Sequence, residues 1–144
     1  MTFDLNRFVV AQERDYARAL AEIKSGRKRT HWMWYIFPQI DGLGTSPTAQ
    51  LYAIKNLAEG RAYLSHPVLG PRLIECAEAV IAVRDRSAFE IFGTPDDLKL
   101  RSSATLFDVI SPPDSVFARL LKRYYGGVPD GRTLMILRVQ KGEE

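Results

Sequence analysis

The placement of helix start and stop signals constrains this chain more than any other feature. Ser46-Pro47 and Thr94-Pro95 each offer a hydroxyl cap followed by proline, a combination typical of the first turn of a helix. Gly26 follows a long segment with helical periodicity, which is typical of a helix end. Because such signals recur along the whole chain, the segments between them are short. The pattern predicts an all-α fold of six to eight short helices.

The first and last segments differ in how well their patterns define them. The range Asp4 to Ser25 carries apolar residues at three-to-four spacing, which predicts an amphipathic helix with Asp4 as its N-cap. Gln12 is a polar member of that apolar stripe, and its amide needs hydrogen-bond partners if it is buried. The range Arg132 to Val139 has both helix and strand propensity, and both alternatives stay open.

Length and composition limit the class of protein. The 144 residues fit one domain, which we assign to residues 1–144. Hydrophobic residues make up 46% and charged residues 26%, which excludes a disordered chain, and the longest apolar run, Trp32 to Phe37, is too short to cross a bilayer. The net charge of +3 is too weak to argue for a nucleic-acid partner by itself.

The cysteine and histidine content excludes several kinds of site. Cys76 is the only cysteine, so no intramolecular disulfide can form. Two histidines and one cysteine cannot make a zinc site of the usual spacing, and we predict no metal and no cofactor. The N-terminus lacks the basic and apolar regions of a secretory signal, so we expect a cytoplasmic protein that does not enter membranes.

Several short motifs follow one another along the chain. They are Arg7-Phe8, Ala11-Gln12, His31 to Gln39, Gly42-Leu43-Gly44, His66-Pro67, Leu69-Gly70, Phe92-Gly93, Lys99 to Ser103 and Thr105 to Phe107. Together they resemble the bacterial family labelled domain of unknown function 1810, over roughly Leu5 to Leu137. The resemblance implies a small, all-helical, monomeric cytoplasmic domain and no established activity. The label calpastatin that such sequences sometimes carry does not fit, because that inhibitor is disordered.

A basic cluster directly precedes both tryptophans of the chain. Arg27, Lys28 and Arg29 carry the charge, and no acidic residue occurs between Glu22 and Asp41. Guanidinium groups bind phosphate or carboxylate, and tryptophan faces stack on bases or sugars. We therefore predict that the three cations hold an anion, with stacking and hydrogen-bonding residues that follow in the sequence: Trp32, Trp34 and Gln39. The alternative stays open that the cations solvate a helix end and the aromatic residues fill the core.

Two further groups of residues complete the candidate site. Histidine is the side chain most often used as a general base, so His31 is the candidate general base if the site is catalytic. Lys99, Ser102 and Ser103 lie three and four residues apart, so both hydroxyls can approach the ammonium on one helix face. We expect this group to bind ligand rather than to supply a nucleophile, because no strained elbow or oxyanion hole accompanies it.

These observations support two functional hypotheses. The first is the binding, or the binding and hydrolysis, of an anionic small molecule resembling a nucleotide or a sugar phosphate in a basic and aromatic pocket. The second is a non-enzymatic module whose basic face docks an acidic protein or a nucleic acid. Whether the protein is an enzyme stays open at this point.

Overall fold

The fold is all-α, as the capping signals predict. The structure, a computed structural model, describes residues 3–142. Within them lie nine helices: α1 (Asn6–Lys24), α2 (Met33–Ile36), α3 (Pro47–Leu51), α4 (Leu57–Ser65), α5 (Leu69–Ala82), α6 (Ala88–Phe92), α7 (Asp96–Val109), α8 (Val116–Tyr125) and α9 (Gly131–Gln140). Between residues 3 and 142 the one β-type pairing is a single parallel bridge between Ile40 and Ile54. Helix α2 is not predicted by the periodicity of the sequence, and it lies inside the apolar run from Trp32 to Phe37.

Of the three helix starts predicted above, the one at Ser46-Pro47 is confirmed. Ser46 accepts a hydrogen bond from the Ala49 N–H, so the proline that follows occupies the first turn of α3. Two of the predicted starts differ. Asp4 does not cap α1, which follows Leu5 without a side-chain cap. Helix α7 begins one residue later than Thr94-Pro95 suggests, with Pro95 at the N-cap position, which leaves the Asp96 carboxylate for two lysines.

The C-terminal segment is a helix rather than a strand. Asp130 accepts a hydrogen bond from the Thr133 N–H and caps α9, which continues to Gln140. The backbone N–H of Thr133 lies in the first turn of this helix, where no helix carbonyl can accept it, and the Asp130 side chain supplies the acceptor. Of the two alternatives left open by the sequence, the segment is therefore the helix. The preceding helix, α8, ends at Gly126, whose φ of +63° is a left-handed conformation that favours glycine.

Helices α1, α5, α7 and α8 surround one hydrophobic core. Its largest fully buried side chains include Trp32, Tyr63, Phe8 and Phe107. Gln12 lies inside this core, where its amide donates to the Tyr35 carbonyl oxygen at 2.7 Å and to the Tyr63 hydroxyl at 3.0 Å. The Gln12 side chain therefore links helix α1 to α2, which contains Tyr35, and to α4, which contains Tyr63.

The loop after the aromatic run is fixed to the chain before α4. Ile54 donates its N–H to the Gln39 carbonyl oxygen at 2.8 Å, and Asp41 donates to the Ile54 carbonyl oxygen at 2.8 Å. These two bonds hold Gln39 and the glycine-containing segment 42–44 in place. The loop can therefore form a defined wall of the cleft described below.

None of the helices found in residues 3–142 combines the length and the apolarity that a bilayer crossing requires.

Candidate functional site

The structure contains two lysine–tryptophan pairs that share one carboxylate. The first pair is sealed: Lys28 Nζ lies 5.0 Å from the Trp32 ring centroid, and Trp32 is fully buried. The same ammonium is 2.8 Å from Asp96 Oδ2 and donates to the Thr30 carbonyl oxygen at 2.6 Å. Only 7% of the Lys28 side chain is exposed. We therefore interpret this pair as part of the core.

Glu22 fixes the sealed pair from the other side. Its Oε1 accepts the Trp32 Nε1–H at 2.8 Å and the Arg29 N–H at 2.9 Å, and its Oε2 accepts the Thr30 hydroxyl at 2.7 Å. Burial of the carboxyl acts to raise its pKa, but these hydrogen bonds outweigh burial and lower the pKa of Glu22 to about 2. The carboxylate therefore stays charged and organises the turn after α1. It is not available as a general base.

The second pair is open to solvent. Lys99 Nζ lies 5.0 Å from the Trp34 ring centroid and 3.7 Å from Asp96 Oδ1. The Lys99 side chain is 24% exposed, and Trp34 is half-buried. Because the stronger contact of Asp96 goes to Lys28, the Lys99 ammonium keeps capacity for a further anion.

Lys99 lies in a cleft of about 300 Å³ between the loop after α2, the first turns of α7 and the start of α9. The cleft is lined by Gln39, Leu43, Gly44, Pro95, Leu98, Lys99, Arg101, Ser102, Asp130 and Arg132. Three of these side chains are cationic and one is a carboxylate. This volume lies near the lower end of the range for small-molecule sites.

The carboxylate of the cleft is engaged within the protein. Asp130 Oδ2 accepts the Thr133 N–H at 3.1 Å and the Thr133 hydroxyl at 2.6 Å, and Ser102 Oγ lies 3.0 Å away. The Asp130 N–H in turn donates to the buried Thr105 hydroxyl at 2.8 Å. These bonds join α7 to the start of α9, so the floor of the cleft is rigid. The three cations outnumber this one carboxylate, so the lining carries a net positive charge.

Arg101 and Arg132 are held in different ways. Arg101 donates through Nε to the Val128 carbonyl oxygen at 2.9 Å, and its guanidinium lies 5.7 Å from the Tyr125 ring centroid. Arg132 is exposed and forms no ion pair within the part of the chain that the structure covers. One guanidinium is therefore pre-positioned, while the other can turn toward a ligand.

Two glycines, Gly42 and Gly44, lie in the loop that forms the wall of the cleft opposite α7, and Gly44 lines the cleft itself. A Cβ atom at Gly44 would lie 2.6 Å from the Cβ of Ala49, so a larger residue would displace the start of α3. Gly42 has a φ of +108°, and a Cβ there would come within 3.3 Å of Ile136 Cδ1. The backbone of the loop therefore approaches α3 and α9 as closely as it does because both positions are glycine.

The structure separates the residues that the sequence proposed as one site. Gln39, Lys99 and Ser102 line the cleft together, with Trp34 against Lys99. Lys28 and Trp32 form the sealed pair, and Trp32 has no exposed ring face to offer a ligand. The remaining candidates do not line the cleft: Arg27, Arg29 and His31 are exposed, and the hydroxyl of the buried Ser103 has no hydrogen-bond partner among residues 3–142.

Sequence reasoning missed Arg101 and Arg132 as lining residues. Arg101 lies two residues after Lys99 and one before Ser102, a spacing that does not predict a shared helix face, so no local signal placed it in the cleft. No local signal connects Arg132 with Lys99, because only the packing of α9 on α7 brings the two into one cleft. No group of three or more histidine, cysteine or acidic side chains in residues 3–142 is arranged to hold a metal ion.

Comparison with known proteins relates the chain to uncharacterised ones. A family model described as "Protein of unknown function (DUF1810)" matches residues 2–137. The crystal structure of a conserved hypothetical protein from Mycobacterium tuberculosis is 53% identical in sequence. It superposes with a TM-score of 0.92, over 94% of this chain and 96% of that one. No curated protein matches the sequence.

Proposed function

The chain belongs to the DUF1810 family of proteins of unknown function, and we propose from its own residues that it binds an anionic small molecule in the cleft between α7, α9 and the loop after α2. The observation that carries the proposal is the convergence of Lys99, Arg101 and Arg132 on one recessed space. Guanidinium groups pair bidentately with phosphate or carboxylate, and an ammonium adds a point charge. The proposed ligand is a small phosphate or carboxylate. This class includes the sugar phosphates and nucleotides that the sequence analysis names.

The uncharged groups of the cleft would orient the ligand. Gln39 supplies an amide that can both donate and accept, and its backbone is fixed through the hydrogen bond from Ile54. Ser102 presents a hydroxyl at the floor, next to Asp130. The start of α9 adds the positive end of a helix dipole at the same place.

The proposal is for binding rather than for a reaction. His31 is exposed and is not among the lining residues, and the carboxylates of Glu22 and Asp130 already accept several hydrogen bonds each. A general base in contact with the ligand would need a free acceptor at the cleft. We propose that the protein acts as a monomeric, cytoplasmic ligand-binding protein.

A matched pair of arginine variants tests this proposal. Arg132 and Arg138 are both exposed on α9, but only Arg132 lines the cleft. We expect Arg132→Gln to weaken the binding of a phosphate ligand at least about tenfold, the loss of one charge-assisted contact, while Arg138→Gln leaves it unchanged. Titration calorimetry with glucose 6-phosphate, AMP and octyl phosphate measures both. Equal affinities for the two variants, or no binding of any ligand by the native protein, would refute the proposal.

A second candidate function rests on a different surface. Arg86 packs against Gly26, its Cδ within 3.3 Å of where a Cβ would stand, and Arg123 donates to the Val83 carbonyl oxygen at 2.6 Å. The ends of α1, α5 and α8 therefore bring exposed cations together: Lys24, Arg27, Arg84, Arg86 and Arg123. Such a basic end could dock an acidic protein or a nucleic acid.

Salt dependence distinguishes the second candidate from the first. The affinity of docking through the basic end should fall steeply as the salt concentration rises. The double substitution Arg27→Gln and Arg86→Gln should lower this affinity, and Lys99→Gln should leave it unchanged. Fluorescence anisotropy with a labelled poly-glutamate peptide and with single-stranded DNA tests the two partner classes. The candidate is dismissed if neither probe binds at low salt.

A further inference from the structure

The cleft adjoins an apolar shelf on α9. The shelf has a volume of about 620 Å³ and is lined by Gly42, Asp130, Gly131, Arg132, Met135 and Ile136. Asp130 and Arg132 line both the cleft and the shelf, so the two spaces are neighbours. Arg132 stands at the boundary between the cationic and the apolar part.

Two apolar side chains of this region, Met135 and Leu98, are more than half exposed. Met135 is 57% exposed although it lies between the buried Thr133 and Leu137 on the same helix. Leu98, which lines the cleft, is 56% exposed. Ile136 is half-buried, in the direction of Gly42. Apolar groups gathered beside a charged cleft favour a ligand that covers them.

The opposite end of the cleft leaves no room for a ring. Gln39 and Gly44 line both the cleft and a space beside Trp34, but that space holds only about 10 Å³. This is enough for about one water molecule and far too little for a base or a sugar. A ligand whose anion lies between the cations can therefore extend toward Met135 rather than toward Trp34.

From these three observations we propose that the ligand is an amphipathic anion. Its phosphate or carboxylate lies between Lys99 and Arg132, and its hydrocarbon chain lies over Met135 and Ile136. This inference rests on the proposed function, since it names the class of molecule that the cleft takes. It favours an alkyl phosphate or a fatty acid over a hydrophilic sugar phosphate or a nucleotide.

The geometry favours a free molecule over a lipid within a bilayer. Ser102 at the floor of the cleft is buried, and three quarters of the Lys99 side chain is covered by protein. A bilayer surface is nearly flat and is bound by protruding cations, whereas these groups are recessed. A single soluble anion can enter the cleft, while a headgroup fixed in a membrane would have to leave its neighbours first.

A ligand series with a matched variant tests the inference. The probes are inorganic phosphate, glucose 6-phosphate, AMP and octyl phosphate, the last below the concentration at which it forms micelles. We expect octyl phosphate to bind at least about tenfold more tightly than the other three, because two or more of its methylene groups are buried. Met135→Gln should remove most of that gain and leave the affinity for inorganic phosphate unchanged.

Val109→Gln provides the control. Val109 is an exposed apolar residue at the far end of α7, 43% exposed, and it lines neither the cleft nor the shelf. Its substitution should leave every affinity unchanged. Thermal unfolding of both variants checks that they fold like the native protein.

The outcomes separate the inference from the function on which it rests. Equal binding of octyl phosphate and glucose 6-phosphate, both weakened by Arg132→Gln, would overturn the amphipathic ligand and leave the anion site standing. Tighter binding of AMP than of octyl phosphate would do the same. Failure of all four probes would overturn both. Co-sedimentation with vesicles of phosphatidylcholine and phosphatidic acid, in the absence of binding to free octyl phosphate, would reassign the shelf to a membrane.

Discussion

The two lysine–tryptophan pairs have the same geometry and opposite surroundings. In each pair the ammonium lies 5.0 Å from the ring centroid, and both ammonium groups approach the carboxylate of Asp96. Lys28 and Trp32 are enclosed and both have hydrogen-bond partners within the protein, whereas Lys99 borders a cleft that two arginines also line. The comparison shows that residue type and pairing do not distinguish a structural contact from a candidate binding contact. Burial and remaining hydrogen-bond capacity do.

The largest expected difference between the pairs is in the two tryptophans. Trp32→Ala should lower the free energy of unfolding by about 4 kcal/mol, because it empties a core position and leaves Glu22 without one donor. Trp34→Ala should cost only about 1 kcal/mol, since its ring is half-buried and its main polar contact is an exposed cation–π pair. Urea unfolding monitored by circular dichroism measures both. Equal losses would erase the distinction between a sealed and an open pair.

The sealed pair should also make the protein sensitive to acid through Glu22. The folded pKa of about 2 lies below the ordinary value of 4.5, so the carboxylate stabilises the fold above pH 4.5, and this contribution is lost as the pH falls toward 2. The difference corresponds to about 3 kcal/mol. Glu22→Gln should be less stable at neutral pH and should lose less stability between pH 4.5 and 2 than the native protein does. Parallel acid-titration slopes for the two proteins would contradict this role.

The smallest expected effect concerns two adjacent serines of α7, one in the cleft and one in the core. Ser102→Ala should cost about 1 kcal/mol, because its hydroxyl contacts the Asp130 carboxylate that caps α9. Ser103→Ala should be neutral or slightly stabilising, because the buried Ser103 hydroxyl has no partner among the residues that the structure describes. Thermal unfolding of the two variants side by side tests this. A larger loss for Ser103→Ala than for Ser102→Ala would contradict the contrast between the two hydroxyls.

The sequence could predict the fold much further than the site. Caps such as Ser46, together with glycine stops such as Gly26, are local, so they identify helices without any knowledge of packing. Whether a tryptophan faces a cleft or the core depends on neighbours distant in sequence. Trp32 and Trp34 are only two positions apart. Trp32 donates a hydrogen bond to Glu22 in α1, whereas Trp34 contacts Lys99 in α7. Arg132 joins the site only through the packing of α9, which no local pattern indicates.

The most direct test of the account exchanges one lysine of each pair for methionine. Lys28→Met should lower the free energy of unfolding by about 2 kcal/mol, because Asp96 and the Thr30 carbonyl oxygen lose their buried partner, and should leave ligand affinity unchanged. Lys99→Met should change stability by less than about 0.5 kcal/mol and weaken octyl phosphate and glucose 6-phosphate binding about tenfold. Unfolding measurements give one stability for each variant, and titration calorimetry gives its affinity for each of the two ligands. We predict that Lys28→Met affects stability alone and that Lys99→Met affects binding alone. A Lys28→Met protein that is stable but does not bind would contradict the account. So would a Lys99→Met protein that is destabilised but binds normally.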